Sequence, residues 1–435
     1  MQDNVAIQEP SAKPKLKNLR WYILILFLCG VTVNYITRNS LGILASELIE
    51  DLQMTTQQYS YIVASFQLAY TIFQPICGWF IDFIGLRIGF FIFAVIWSVA
   101  CIFHAGAGNW IHLAILRFVM GGSEAAATPA NAKVIAEWFP KKERPVAAGW
   151  AGVGFSIGAM LAPPIIVIFH VALGWRGAFI VSGILALAWC FVWLKFYNDP
   201  NKHKNLSDAE RKYIAQDLEP EQPKLSFFKS LSSLVKMKKF YGICIPAFLA
   251  EPAWATFSFW VPLYLAQEQG MDIKQIAMFA WLPFLFADIG SIASGYLTKL
   301  YAKWFDLSRI NSVIASSVTG AFLMVSLAAV AITKDPYIAI LLISIGGFGH
   351  QVISCMLSAI VVDSFDKNQV ATMNGMRGSS AWIASFIFSL IIGAFSQTIG
   401  FGPLFVIMGF LDLIGAVFLI ALVAERRKKN NLVTK

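Results

Sequence analysis

Apolar residues fall into long blocks along this chain, at approximately 21–46, 57–81, 88–105, 110–133, 145–170 and 175–197, and again at 240–266, 276–300, 309–333, 336–361, 369–397 and 401–424. A membrane-crossing helix needs about 20 consecutive apolar residues, so the pattern predicts twelve spanning helices. Short turns separate the blocks except once, where the polar stretch 198–239 divides them into two sets of six. The predicted fold class is an all-α polytopic membrane protein. It comprises an N-terminal tail (1–20), a six-helix bundle (21–197), a central loop (198–239), a second six-helix bundle (240–424) and a C-terminal tail (425–435). Inside the central loop, Ser207-Asp208-Ala209-Glu210 is a capping-box pattern that predicts one short amphipathic helix.

Composition removes the main competing class. Of 435 residues, 57% are hydrophobic and 14% charged, against roughly 45–50% and 25% in soluble domains, which excludes a soluble enzyme. The net charge of +9 matters through its placement. Twenty-eight of the 34 Lys and Arg fall in the two tails, the central loop and the alternate loops on the same side, whereas the opposite loops hold only Arg176, Lys274 and Lys334. By the positive-inside rule both termini and the central loop are cytoplasmic. The basic balance is therefore topological and does not point to nucleic acid. Lys13, Lys15, Lys17 and Arg20 precede a first block that lacks a small-residue cleavage site, so it reads as a spanning helix, not a signal peptide. All six cysteines lie in apolar blocks, with neither a CxxC pair nor a His cluster nearby. Neither a disulfide framework, a metal site nor a cofactor is expected.

Two six-helix halves around one central loop are the plan of the major facilitator transporters, whose substrate site lies near the midplane between halves. The chain resembles them further in Gly78-xxx-Asp82-xx-Gly85-x-Arg87, most of that superfamily's signature after its second helix, with Phe83 where a basic residue is usual. Glycines there permit a tight turn and close helix contact, and Asp82 is placed to cap or pair across a cytoplasmic gate. The fifth block carries Gly149, Gly152, Gly154 and Gly158 before Pro163-Pro164. That small-residue face suits either helices that slide on one another or plain close packing.

Ionisable residues inside the blocks are the candidate chemistry, because each costs roughly 2.5–3.5 kcal/mol at the bilayer centre. Arg38 and Arg117 lie at similar depths in the first and fourth blocks. Glu124 follows Arg117 by seven positions, almost two helical turns, on the same face and nearer the cytoplasm. Guanidinium groups grip carboxylates bidentately, so Arg38 is a candidate anion ligand, or else a structural tie to Asn34. Arg117 either joins it or neutralises an acid. Glu124 is the deep carboxylate of the first half and the natural proton carrier. Tyr35, one turn before Arg38, and Tyr70, between Gln67 and Gln74, offer hydroxyls and ring faces to a sugar. In the second half Glu251, Asp288, His350, Gln351, Asn374, Arg377 and Asp412 are intramembrane polar residues.

The chain also resembles the anion:cation symporter family of that superfamily, in particular its bacterial hexuronate:proton symporters. The segments that carry the likeness are Asn34-Tyr35-x-Thr37-Arg38-Asn39, Thr56-Gln57-Gln58-Tyr59-Ser60-Tyr61, Ser156-Ile157-Gly158-Ala159-Met160, Glu251-Pro252-Ala253-Trp254, Ile276-Ala277-Met278-Phe279-Ala280-Trp281 and Thr398-Ile399-Gly400-Phe401. A functional monomer in the bacterial cytoplasmic membrane is the expectation, and the resemblance implies proton-driven uptake of a sugar-acid monoanion. It implies Arg38 as carboxylate ligand, Glu124 as coupling site, and Tyr35 and Tyr70 in the pocket. Thr37 stands where aldonate-transporting relatives have Asp, which favours a hexuronate. Ala247 stands where the family often has Arg, and Arg377 is the substitute cation, with Asn374 and Gln351 beside it as candidate ligands. Organic-phosphate antiport would expect matched arginines on helices 1 and 7, and a membrane enzyme would need a nucleophile–base or metal set; neither pattern is present in the sequence.

Overall fold

The computed structural model describes residues 17–140, 143–216, 227–365 and 367–425. The first half contains α1 (Leu19–Ile43), α2 (Ala45–Asp51), α3 (Thr56–Ile84), α4 (Leu86–Phe103), α5 (Trp110–Glu124), α6 (Ala127–Trp138) and α7 (Arg144–Phe196). Two short helices follow, α8 (Asp208–Ala215) and α9 (Phe227–Leu234). The second half contains α10 (Lys238–Phe259), α11 (Val261–Gln267), α12 (Ile273–Phe279), α13 (Leu282–Phe305), α14 (Arg309–Met324), α15 (Ser326–Val330), α16 (Pro336–Ser364), α17 (Lys367–Ile399) and α18 (Gly402–Val423).

Every predicted apolar block is helical, and eight helices or helix runs are apolar and long enough to cross a membrane. One of these, Ser156–Phe196, spans 41 residues and covers parts of two of the predicted blocks. Within it Gly174 sits at φ 71, ψ 176, outside the helical region. A Cβ on Gly154 would touch Leu28, and Trp189 Nε1 donates to the Leu26 carbonyl. Residues 154 and 189 are thus level with the same part of α1, so the chain doubles back at Gly174, where a residue with a Cβ would be strained. The blocks at 57–81, 110–133 and 240–266 are helical but fall outside the eight spans. The last two are interrupted, between α5 and α6 and between α10 and α11.

Proline explains both breaks. Pro129 has no N–H to give the Ala125 carbonyl, and α5 ends at Glu124; Pro262 likewise frees the Ser258 carbonyl, and α10 ends at Phe259. Glycines then set the close packing. A Cβ on Gly121 of α5 would lie 2.4 Å from the Phe66 carbonyl of α3, and one on Gly158 of α7 would lie 2.8 Å from the Thr32 carbonyl of α1.

The two halves meet at the end of the molecule opposite the basic loops. Tyr59 Oη donates to the Phe259 carbonyl at 2.7 Å, and its ring packs edge-on against Trp260. Gln397 donates to Thr56 Oγ1 at 3.1 Å, and a Cβ on Gly42 would lie 2.4 Å from the Ser258 carbonyl. At the other end the central loop is tied to the first half. Ser207 caps α8 by accepting from the Glu210 N–H, as the capping-box pattern predicts. The Glu210 carboxylate, however, leaves that box to accept the Leu19 and Arg20 N–H groups and the Arg20 side chain at 2.7 Å. It thereby caps the start of α1, where a negative charge is favoured by the helix dipole.

Candidate functional site

The α5 break places Glu124 at a helix end facing α1. Its Oε2 accepts from Arg38 Nε at 2.7 Å, and both side chains are buried. Arg38 Nη2 reaches Asn34 Oδ1 at 3.3 Å, and Asn34 is one turn earlier on α1. Three aromatic rings surround the guanidinium, with centroids 4.6 Å away for Tyr35, 5.1 Å for Tyr70 and 5.5 Å for Phe66. Such cation–π contacts strengthen when water is excluded. Two donors of Arg38 are thus engaged, while Nη1 makes no hydrogen bond among the described residues. The second oxygen of Glu124, Oε1, is buried without a hydrogen-bond partner. A lone pair left so in a low-dielectric interior is costly, and a proton or a donor arriving there removes the cost.

Arg117 acts on the charge of Glu124, one of the two roles expected of it, without a hydrogen bond to that carboxylate. It shares a helix with Glu124, yet its Nη2 donates to the backbone carbonyl of Arg38 at 3.0 Å, and Nη1 approaches Met120 Sδ. It is fully buried, with its guanidinium 5.6 Å from the Phe66 ring centroid. The seven-residue spacing gives the face but not the rotamer. Arg117 clamps the α1 backbone behind Arg38 and does not line the enclosed space beside it.

That space lies between α1, α10 and α17. It is lined by Tyr35, Arg38, Glu251, Trp254, Ser258, Trp382 and Ser385, among others, and leaves only about 10 Å³ for the centre of a water-sized sphere. Tyr70 closes it from the α3 side: its ring stacks on Trp382 at 4.2 Å, and its hydroxyl is 3.3 Å from Thr128 Oγ1. In the second half the Arg377 Nε is buried without a hydrogen-bond partner, and its charge acts on that of Glu251. Gln351 Nε2 donates to Cys355 Sγ at 3.9 Å, and Asn374 is half-buried three residues before Arg377. His350 stacks on Trp254 with centroids 5.3 Å apart. Asp288 accepts a hydrogen bond from Ser156 across the two halves, and Asp412 Oδ2 is buried without a partner. No group of three or more His, Cys, Asp or Glu able to hold a metal occurs among the described residues.

Of the predicted gate residues, Gly78 and Arg87 contact different neighbours. A Cβ on Gly78 would lie 3.4 Å from Pro129 of α6. Arg87 donates through Nε and Nη2 to the Leu194 carbonyl at 3.2 and 2.7 Å, capping the end of α7. The Asp82 side chain lies outside the described residues. Trp382 and Phe66 are the residues that the sequence reading missed. Their signal was available for Trp382: with Ser385 and Ser389 it makes an i, i+3, i+7 stripe of polar-tipped residues along α17.

A helical bundle with eight runs apolar and long enough to cross a membrane, and a buried ion pair beside the space between its two halves, is an arrangement suited to membrane transport. The profile described as Major Facilitator Superfamily matches residues 27–357 and 306–435, and the chain belongs to that superfamily. It is 46% identical over 405 residues to the "Hexuronate transporter" of Escherichia coli (strain K12), covering 93% of this chain and 94% of that protein. It is 43% identical to the "Galacturonate transporter" of Dickeya chrysanthemi, over 75% of this chain and 95% of that one. In fold it is similar to a bacterial homolog of the human lysosomal transporter Spinster in an inward-facing, unoccupied conformation, with a TM-score of 0.71 at 17% identity, covering 94% of this chain and 96% of that one.

Proposed function

We propose that the protein takes up a sugar-acid monoanion, a hexuronate such as galacturonate or glucuronate, together with a proton, by alternating access across the bacterial cytoplasmic membrane. The observation that carries the reading is the Arg38–Glu124 pair, in which one acid oxygen holds the arginine and the other has no partner. While Glu124 is charged it competes with substrate for Arg38. Protonation removes that competition and turns the guanidinium towards an incoming carboxylate, which it can bind with two parallel N–H···O bonds. Tyr35, Tyr70 and Trp382 supply ring faces and hydroxyls for the sugar, and Arg377, with Asn374 and Gln351, supplies the second half's polar contacts. The relatives' names agree with this class of substrate.

A sugar acid exceeds the space beside Arg38 many times over, so loading requires the halves and the Tyr70–Trp382 stack to part. No cofactor beyond the transported proton is required, and each half of one chain contributes to the site, so a monomer suffices. Counterflow in proteoliposomes with labelled hexuronates, aldonates, aldarates and sugar phosphates tests the reading. Exchange with hexuronates is expected. Exchange with sugar phosphates and not with sugar acids would replace it with organic-phosphate antiport.

A further inference from the structure

Glu251 takes no part in the proposed proton exchange, yet it lines the central space together with Arg38. We propose that it reads the end of the substrate away from Arg38: it accepts hydroxyls of a sugar-acid monoanion there and repels a second carboxylate, so that aldarate dianions are refused. The inference rests on the sugar-acid reading of this site and narrows the class of substrate within it.

Position is the first argument. Glu251, Trp254 and Ser258 follow one another on α10 at i, i+3 and i+7, which puts them on one helix face, and all three line the space between α1, α10 and α17. The charge of Glu251 acts both on Tyr35 of α1 and on Arg377 of α17, so it belongs to the junction of the two halves. Its depth follows from one contact. A Cβ on Gly42 would lie 2.4 Å from the Ser258 carbonyl, so those two residues are level. Both helices start beside the central loop, since the Leu19 N–H donates to Glu210 and α10 begins at Lys238. Arg38 lies four residues before Gly42, and Glu251 seven before Ser258. At 1.5 Å per residue the Glu251 backbone is about 4–5 Å nearer the central loop than that of Arg38. A molecule held by its carboxylate at Arg38 and lying across the space thus brings its other end towards Glu251.

Charge is the second argument. No hydrogen bond or ion pair engages the Glu251 carboxylate among the described residues, and Arg377 Nε is likewise buried without a hydrogen-bond partner. Two opposite charges that act on each other without sharing a bond leave the lone pairs of the acid for donors on a ligand. Hexuronates and aldonates carry one carboxylate and present hydroxyls at their other end, which can donate to Glu251. An aldarate carries a second carboxylate there. Like charges brought together in a site that excludes water repel strongly, and such repulsion excludes a wrong ligand more effectively than a lost contact does. Removing the Glu251 charge reverses the effect, because Arg377 is then an unbalanced cation beside the same end of the substrate.

The test is counterflow of labelled galacturonate by the full-length protein in proteoliposomes, competed by unlabelled galacturonate, galactonate or galactarate. For the natural protein galactarate is expected to compete at least about tenfold more weakly than galacturonate. In Glu251→Gln that gap should close by about tenfold, from a galacturonate affinity about threefold lower and a galactarate affinity about threefold higher, while the galactonate-to-galacturonate ratio holds. Glu251→Asp retains the charge and should retain the discrimination; losing it there overturns the proposal. An unchanged galactarate-to-galacturonate ratio in the Gln variant overturns it, as does equal competition by the two in the natural protein. Loss of all counterflow in the Gln variant would make Glu251 indispensable to folding or transport, and loss of pH-driven accumulation alone would make it a proton site; either result overturns the selective role. A natural protein that exchanges sugar phosphates and no sugar acid defeats the transport reading itself, so the two failures are told apart.

Discussion

At the residue scale the two buried arginines of the first half differ in what each touches. Arg38 lines the pocket and has hydrogen bonds through Nε and Nη2 only, whereas Arg117 spends a donor on the α1 backbone. Arg38→Lys should therefore cut uptake at least tenfold, because a point charge cannot reproduce a planar two-bond grip, and charge-assisted hydrogen bonds are worth roughly 1.5–3 kcal/mol. Initial rates in proteoliposomes measure it. Arg377→Ala should weaken substrate binding by a similar order with expression unchanged; a loss of expression alone would assign Arg377 to folding. The identities of Arg38, Glu124, Tyr35 and Tyr70 as intramembrane polar residues were legible, since polar groups stand out against apolar blocks. The partner of Glu124 was not. Helical spacing put Arg117 above it on one stripe, but which of two arginines turns to an acid depends on rotamers and on a second helix.

At the scale of elements, hydrophobic blocks located the helices and missed their interruptions. An apolar average cannot register that Pro129 and Pro262 each remove one N–H, although both breaks place functional groups: Glu124 at the end of α5, and the Ser258 and Phe259 carbonyls against α1 and α3. The helix α9 was likewise not expected within the central loop. Glycine contacts between elements make a sharper prediction. Gly121→Val would drive a side chain into the Phe66 backbone, and overpacking of this kind costs about 1–3 kcal/mol. A thermal shift assay should show a Tm several degrees lower. Gly106→Ala, with nothing within 4 Å of its Cβ, is the control and should leave Tm unchanged.

For the whole molecule, composition and the single long polar stretch gave the class and the plan of two sets of helices. Which end is closed was not legible, because it depends on contacts between distant segments such as Tyr59 with Phe259 and Thr56 with Gln397. Those contacts hold the halves together away from the basic loops, and a hydrogen bond is worth about 0.5–1.5 kcal/mol net. Tyr59→Phe should thus shift the population towards the opposite opening by roughly two- to tenfold. Spin labels at Gln53 and Lys334, exposed on the two halves at that end, should report a larger share of long distances by double electron–electron resonance. An unchanged distribution would mean that this hydrogen bond does not set the balance.

In the proposed cycle Glu124 exchanges Arg38 for a proton when substrate arrives. Glu124→Gln keeps the shape and removes the charge, so it fixes the site in its substrate-accepting form. In proteoliposomes the variant should bind and counterflow hexuronate as the natural protein does, and it should fail to accumulate it when an inwardly directed pH gradient is imposed. Accumulation against a concentration gradient that still follows pH in the Gln variant would contradict the account and move proton coupling to another carboxylate, Glu251 or Asp288.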